Sequence, residues 1–184
     1  MIFEEKTLGT KRIYEGRIIN LRVDTVTVKN GTSKREIVEH NGGSVIAAIT
    51  EENKIIMVRQ FRKPFDRGIL EVPAGKLDGD EDPDKAAMRE LSEETGYTAG
   101  KLEKLTEMYP SVGYTTEVLH IYLATELKPG ACHPDENEVL EIMEMDLEEV
   151  YRMVMDGAIH DAKTIIAVMM AREKLRERAI PAAE

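Results

Sequence analysis

The densest set of residues able to do chemistry lies between Gly75 and Tyr97, G-K-L-D-G-D-E-D-P-D-K-A-A-M-R-E-L-S-E-E-T-G-Y. Asp82 is placed to cap a helix, Pro83 to occupy its first turn, and Gly96 to end it in a left-handed conformation. On such a helix Glu90, Glu93 and Glu94 share one broad face, because residues three and four apart are neighbours. Each like-charge pair at that spacing costs roughly 0.2–0.5 kcal/mol when exposed. Arg89 reaches Glu93 at i,i+4, yet one arginine does not neutralise three acids. Ala87 and Leu91 mark a separate stripe for a core. Hard divalent cations, which take oxygen ligands, would relieve the crowding. A solvated acidic face accounts for the same residues equally well.

The whole spacing decides further. Gly75, Glu81 after five residues, then after seven more Arg89-Glu90-Leu91-x-Glu93-Glu94-x-Gly96-Tyr97, resembles the Nudix box at every fixed position. That pattern reads Gly-x5-Glu-x7-Arg-Glu-U-x-Glu-Glu-x-Gly-U, with U an apolar residue. The resemblance implies a loop–helix–loop that binds magnesium or manganese, in enzymes that hydrolyse a nucleoside diphosphate linked to another moiety. It also implies the Nudix fold, an α+β, α-β-α sandwich with a mixed central sheet between helices, here with a small N-terminal antiparallel sheet.

Beyond the box, V-R-Q-F-R-K-P, E-V-P-A-G-K-L, Y-P-S-x-G with Glu117 after it, D-E-N-E and D-A-K-T look like the ADP-ribose pyrophosphatase branch. That branch cleaves ADP-ribose to AMP and ribose 5-phosphate. Its loop usually reads Ser-Pro-Gly where Ser111-Val112-Gly113 stands here, a departure that bears on substrate selectivity. By this resemblance Glu90 and Glu94, with the Ala74 carbonyl, bind two or more Mg²⁺ or Mn²⁺ ions. Glu93 ligates or positions a second metal and Arg89 holds it, while Glu81 braces the loop. The 135–138 tract supplies a swinging acid, Glu136 first and Glu138 second, as general base or water-orienting group. Arg62 and Arg67 meet a phosphate or the terminal ribose, Glu71 accepts from the adenine amino group, and Gly113 and Glu117 complete the substrate site. Phe61 and Tyr114 are candidates to stack on adenine.

Composition narrows the setting. A net charge of −10 argues against a nucleic-acid binder, and makes metal ions the natural bridge between an acidic protein and a polyphosphate. The one cysteine, Cys132, forbids an intrachain disulfide and points to a reducing compartment. Cys132 and His133 lack the neighbours a zinc site needs, and the acidic start M-I-F-E-E-K does not read as a signal peptide. With no eighteen-residue apolar run, the expectation is a cytoplasmic protein that spans no membrane.

The elements that must position these residues follow from periodicity. Residues 1–41 read as an antiparallel sheet, with strands over Thr10–Tyr14, Ile18–Val28 and Lys34–His40 and a turn at Asn30-Gly31. Such a thin sheet must pack on something, and the resemblance implies a homodimer partner. Residues 42–184 form the catalytic domain. Ser44–Thr50 reads as a buried strand, and Lys54–Gln60 as a central one covered on both faces. Phe61–Gly68 interrupts the pattern with three cations beside two aromatics. In Ile69–Pro73, Glu71 interrupts a short apolar strand, facing either a ligand or water. Further strands are expected over Leu102–Met108, Thr116–Leu127 and Val139–Met145, and helices over Leu147–Met155 and 162–178. The last helix carries an apolar stripe of Ile165, Ile166, Val168, Met169 and Leu175, and the methionines of the C-terminal third read as core packing.

Overall fold

A computed structural model describes residues 2–132 and 139–179. It divides into two compact units, one of residues 1–42 with 109–118, the other of 43–108 with 119–184. In the first unit β1 (Thr7–Glu15), β2 (Asn20–Val28) and β3 (Gly31–Glu39) form an antiparallel sheet in that order. Gly31 turns the β2–β3 hairpin at φ 111°, a conformation open to glycine and strained for other residues. All nine residues of β1 are exposed, whereas Val26 and Asp24 of β2 are buried. The loop 109–118 groups with this sheet, and Thr115 bridges Val38 of β3.

The second unit holds β4 (Gly43–Ala48), β5 (Lys54–Arg62), β6 (Arg67–Glu71), β7 (Ala74–Lys76), α1 (Pro83–Thr95), β8 (Tyr97–Met108), β9 (Leu119–Pro129), β10 (Leu140–Asp146), α2 (Leu147–Met155) and α3 (Ala162–Ala179). One sheet has the order β7-β4-β9-β8, with β4 and β9 parallel and the other pairs antiparallel. The other has the order β10-β5-β6 and is antiparallel throughout.

Alternation builds the layers. Every residue of β4 is buried, so the strand has two apolar faces rather than one. Val45 and Ala47 join Ile121 and Leu123 of β9 on the side of α2 and α3, against Val150, Val154, Ala167, Val168 and Ala171. Ile46 and Ala48 join Tyr122 and Ala124 on the side of α1, against Ala87 and Leu91. Ile55 and Met57 of β5 face the first group and Ile56 the second. This is the α-β-α sandwich with a mixed sheet between helices. Burying a side chain such as Leu91 contributes about 1.5–3 kcal/mol.

Some elements differ from their sequence patterns. β8 begins at Tyr97, five residues before the expected Leu102, because Gly96 turns the chain directly into pairing with residues 125–129 of β9. Its first residues alternate exposed polar with half-buried apolar groups, too weak a pattern to mark a strand. On α3 the fully buried line is Thr164, Ala167, Val168 and Ala171, while Met169 is exposed. The close approach to the sheet is made by small side chains, and Ile165, Ile166 and Leu175 pack at its margins. Met155 is exposed too, so of the C-terminal methionines only Met145 and Met153 pack against this core.

Candidate active site

α1 is set by its ends. The Asp82 carboxylate accepts from the amides of Asp84 (3.0 Å) and Lys85 (3.3 Å), Pro83 occupies the first turn, and Gly96 closes the helix at φ 74°. Two side chains pin that first turn to the sheet. Ser44 Oγ donates to the Pro83 carbonyl at 2.7 Å, and Tyr122 Oη donates to Asp84 Oδ1 at 2.6 Å. Burial, and then the Asp84 carboxylate, push the Tyr122 phenol above its ordinary range, so it remains a donor.

Anchored this way, α1 lays its acids against the short edge strand β7. Glu94 is 4 % exposed, and its Oε2 accepts from the Ala74 amide at 3.0 Å. The Glu90 carboxylate lies over Gly75, where a Cβ would fall 1.8 Å from its Cδ. Glycine at 75 is therefore what lets that carboxylate approach the strand. Ala74 and Gly75 are fixed in turn by pairing with Val45 and Ser44 of β4.

Arg89 serves three acids. Its Nη1 donates to Glu90 Oε1 (2.8 Å) and Glu93 Oε2 (2.9 Å); Nε and Nη2 donate to the two oxygens of Glu81 (3.0 and 2.8 Å). Nη2 also reaches the Lys76 carbonyl at 3.2 Å. The Arg89 hydrogen bonds come first among the causes that hold Glu81 below the usual carboxylate range. One positive charge still stands against three negative ones, so the web orients the acids without balancing them.

A second charged cluster closes the end of β6. Glu71 is 2 % exposed, with Oε1 on Arg62 Nε at 2.6 Å and Oε2 on Arg62 Nη2 at 2.8 Å. Lys163 Nζ also donates to Glu71 Oε2, and to Asp161 Oδ2 at 2.9 Å. Burial pushes the Glu71 carboxyl up, but the two cations outweigh it and it titrates below its ordinary value. Glu71 is thus the buried counter-ion of Arg62 and Lys163, with both oxygens on cations. Arg62, Arg67, Phe65, Glu71, Asp161 and Lys163 border a cavity of about 320 Å³. Sequence reasoning gave Lys163 no role, and Asp161 none beyond capping the last helix. The only signal was D-A-K-T at the helix head.

Gly113 and Glu117 belong to the first unit, where Glu117 Oε1 lies 3.5 Å from His40 Nδ1. Phe61 and Tyr114 are both exposed. Glu136 and Glu138 lie outside the described residues. Cys132 Sγ donates to the Glu93 and Glu94 carbonyls at 3.2 and 3.3 Å, against the C-terminal turn of α1, and burial first, then the Glu94 charge, raise its thiol pKa.

Among the described residues no three His, Cys, Asp or Glu side chains converge into a ready-made metal cage. The donor set nevertheless suits a hard divalent ion: it is all oxygen, and Glu90 and Glu94 converge on the Ala74–Gly75 backbone. A cation there would compete with Arg89 for Glu90 and Glu93.

Fold and site together define a class, an α-β-α sandwich with a carboxylate-rich, arginine-braced helix set against an edge strand. The NUDIX domain pattern matches residues 40–168, and the chain belongs to the Nudix family. It is 47 % identical over 174 residues to the ADP-ribose pyrophosphatase of Bacillus subtilis (strain 168), covering 93 % of this chain and 94 % of that protein. It is 45 % identical over 182 residues to the methanol dehydrogenase activator of Bacillus methanolicus, covering 96 % and 98 %. A GDP-mannose pyrophosphatase of Yersinia enterocolitica is 35 % identical over 156 residues, covering 78 % and 81 %. The crystal structure of an ADP compounds hydrolase superposes with a TM-score of 0.82 over 97 % of both chains at 21 % identity, a likeness of fold.

Proposed function

We propose that this Nudix protein hydrolyses the pyrophosphate bond of ADP-ribose to AMP and ribose 5-phosphate, using two or more Mg²⁺ or Mn²⁺ ions. The observation that carries the reading is the convergence of Glu90 and Glu94 on the Ala74–Gly75 backbone. Similarity to the B. subtilis ADP-ribose pyrophosphatase over nearly the whole chain supports the substrate.

Glu90, Glu94 and the Ala74 carbonyl would hold the ions, and Glu93, oriented by Arg89, would complete the set. A divalent cation there supplies the positive charge that polarises the diphosphate and acidifies the attacking water. Glu136 or Glu138 orients that water and takes its proton. Water adds to one phosphorus, the bridging P–O bond breaks, and the leaving phosphate takes the electron pair. Arg62 and Arg67 offset the charge of the phosphates, and Gly113 and Glu117 contribute to the substrate site.

The test is release of AMP and ribose 5-phosphate from ADP-ribose, resolved by chromatography, with Mg²⁺, with Mn²⁺ and with EDTA. The expected result is turnover with either ion, none with EDTA, and kcat/KM for ADP-ribose at least about tenfold above that for GDP-mannose. The likeness to GDP-mannose pyrophosphatases favours a second reading, a nucleotide-sugar pyrophosphatase, which the opposite ratio would select. A third reading is an ADP-ribose-binding protein without turnover. Binding with no AMP released would select that one.

A homodimer through the N-terminal sheet belongs to the same proposal. β1 exposes Leu8, Ile13 and Tyr14 along a strand with an open edge, a surface suited to a second copy. Sedimentation should give twice 20.7 kDa. The single cysteine supports a reducing compartment, and we place the protein in the cytoplasm. No helix among the described residues is long and apolar enough to cross a membrane.

A further inference from the structure

The Arg62–Glu71–Lys163–Asp161 cluster has more cation contacts on Glu71 than a static ion pair requires. Two cations and two carboxylates balance in charge, yet they differ in freedom. The Glu71 side chain is 3 % exposed and that of Lys163 14 %, whereas that of Arg62 is 39 % exposed. Arg62 is therefore the member with room to turn away. Glu71 must stay, and left alone it would be an uncompensated buried charge, a strongly destabilising state.

Lys163 is held in place from both sides. Its ammonium spans Glu71 and Asp161, and Asp161 Oδ2 also accepts from the Thr164 amide at 3.0 Å and the Thr164 hydroxyl at 2.6 Å. Thr164 Oγ1 in turn accepts from the Val72 amide at 3.0 Å, tying the head of α3 to the residue that follows Glu71. The charges of Glu94 and Asp161 act on Arg62 as well, after the dominant Glu71 hydrogen bond, so Arg62 lies within electrostatic reach of the box acids.

We infer that Lys163 is a positioning residue, a standing counter-ion that keeps Glu71 compensated when Arg62 leaves it for a phosphate of the substrate. The inference rests on the diphosphate chemistry proposed above. Without Lys163, Arg62 is, among the described residues, the only cation left on Glu71, and each phosphate contact must be made against a buried unpaired carboxylate. Asp161 sets where Lys163 stands. The role belongs to substrate uptake rather than to bond cleavage.

The experiment compares wild type with Lys163→Met, Lys163→Arg and Lys163→Met/Glu71→Gln, measuring kcat and KM for ADP-ribose with saturating Mg²⁺, and Tm for each. Lys163→Met should raise KM about tenfold with kcat within about threefold of wild type. Lys163→Arg should recover most of the loss, since a guanidinium also compensates Glu71. The double variant should bring KM back to within about threefold of wild type, because nothing then retains Arg62. A purely structural role would move Tm and leave KM alone: Lys163→Met would lower Tm, and Lys163→Arg and the double variant would recover it. A KM unchanged in Lys163→Met, or a double variant with KM above that of Lys163→Met, overturns the inference. Calorimetric titration of the same four proteins with inorganic pyrophosphate in EDTA separates it from the substrate reading. If wild type does not turn over ADP-ribose but the pyrophosphate affinities follow the same order, the substrate reading fails and the role of Lys163 stands. A wild type that takes up neither compound overturns both.

Discussion

Gly75 has a side-chain reason to be glycine as well as a position in a motif. A Cβ there would lie 1.8–2.2 Å from the Glu90 carboxylate, and that carboxylate is the far end of a flexible side chain. The fold can accommodate alanine by pushing Glu90 aside; the site cannot. Gly75→Ala should leave Tm within about 2 °C of wild type while cutting Mg²⁺-dependent AMP release at least about tenfold, the range seen when groups that orient metal ligands are disturbed. Glu94→Gln, which alters a carboxylate at the same strand, should cost at least about a hundredfold in kcat with circular dichroism unchanged. Full activity in either variant would remove the acids of α1 from the chemistry. The box was legible because its residues lie within 23 positions and keep a helix's spacing. The Glu71–Lys163 pair was not, because its members stand 92 residues apart and only the packing of α3 beside β6 joins them. Glu71 itself drew notice as an acid in an apolar strand. Its cation partners were beyond local pattern.

At the scale of elements, caps and alternation carried the information. Asp82, Pro83 and Gly96 mark both ends of α1, and the boundaries Pro83–Thr95 agree with them. β4 reads as a run of apolar residues because it is covered on both faces, and β5 likewise. β8 was legible only in its second half, and the apolar stripe of α3 packs on the core except at Met169, with small side chains making the closest approach. Gly96 is the joint between helix and strand. It sits at φ 74°, and a Cβ would meet the Cys132 amide nitrogen at 2.9 Å and the Gly130 carbonyl at 3.0 Å, backbone atoms that do not swing away. Gly96→Ala should therefore cost at least about 1–2 kcal/mol in chemical denaturation. An unchanged midpoint would show that residues 130–132 yield.

For the whole molecule the governing quantity is unbalanced negative charge, −10 over 184 residues, with much of it concentrated on α1 and the loop before it. Acids paired with cations set the acid limit of stability, and two of them lie in the clusters described above. Glu71 and Glu81 are held below the ordinary 4.5 in the folded protein, so each contributes stability that is complete above that value. It is lost as pH falls through the lower folded-state values, where the native carboxylates finally take up protons. Tm should hold from pH 7 to about 5 and drop steeply below 4.5, with a shallower fall in Glu71→Gln. The acids on Ala74 and Gly75 answer to a different ligand. An ion that binds the folded site and not the unfolded chain raises stability by mass action, by about 1.4 kcal/mol at ten times its dissociation constant. For a chain of this length that corresponds to a rise in Tm of about 3–5 °C. Screening of a −10 surface by any salt also raises Tm, so the comparison must be MgCl₂ against NaCl at equal ionic strength, each after EDTA treatment. The expected outcome is a saturable rise with Mg²⁺ beyond the NaCl control, mostly abolished in Glu94→Gln. Equal Tm values in the two salts would mean that Arg89, not a cation, is the permanent partner of the crowded acids, and the metal reading of the site would fail with its fold intact.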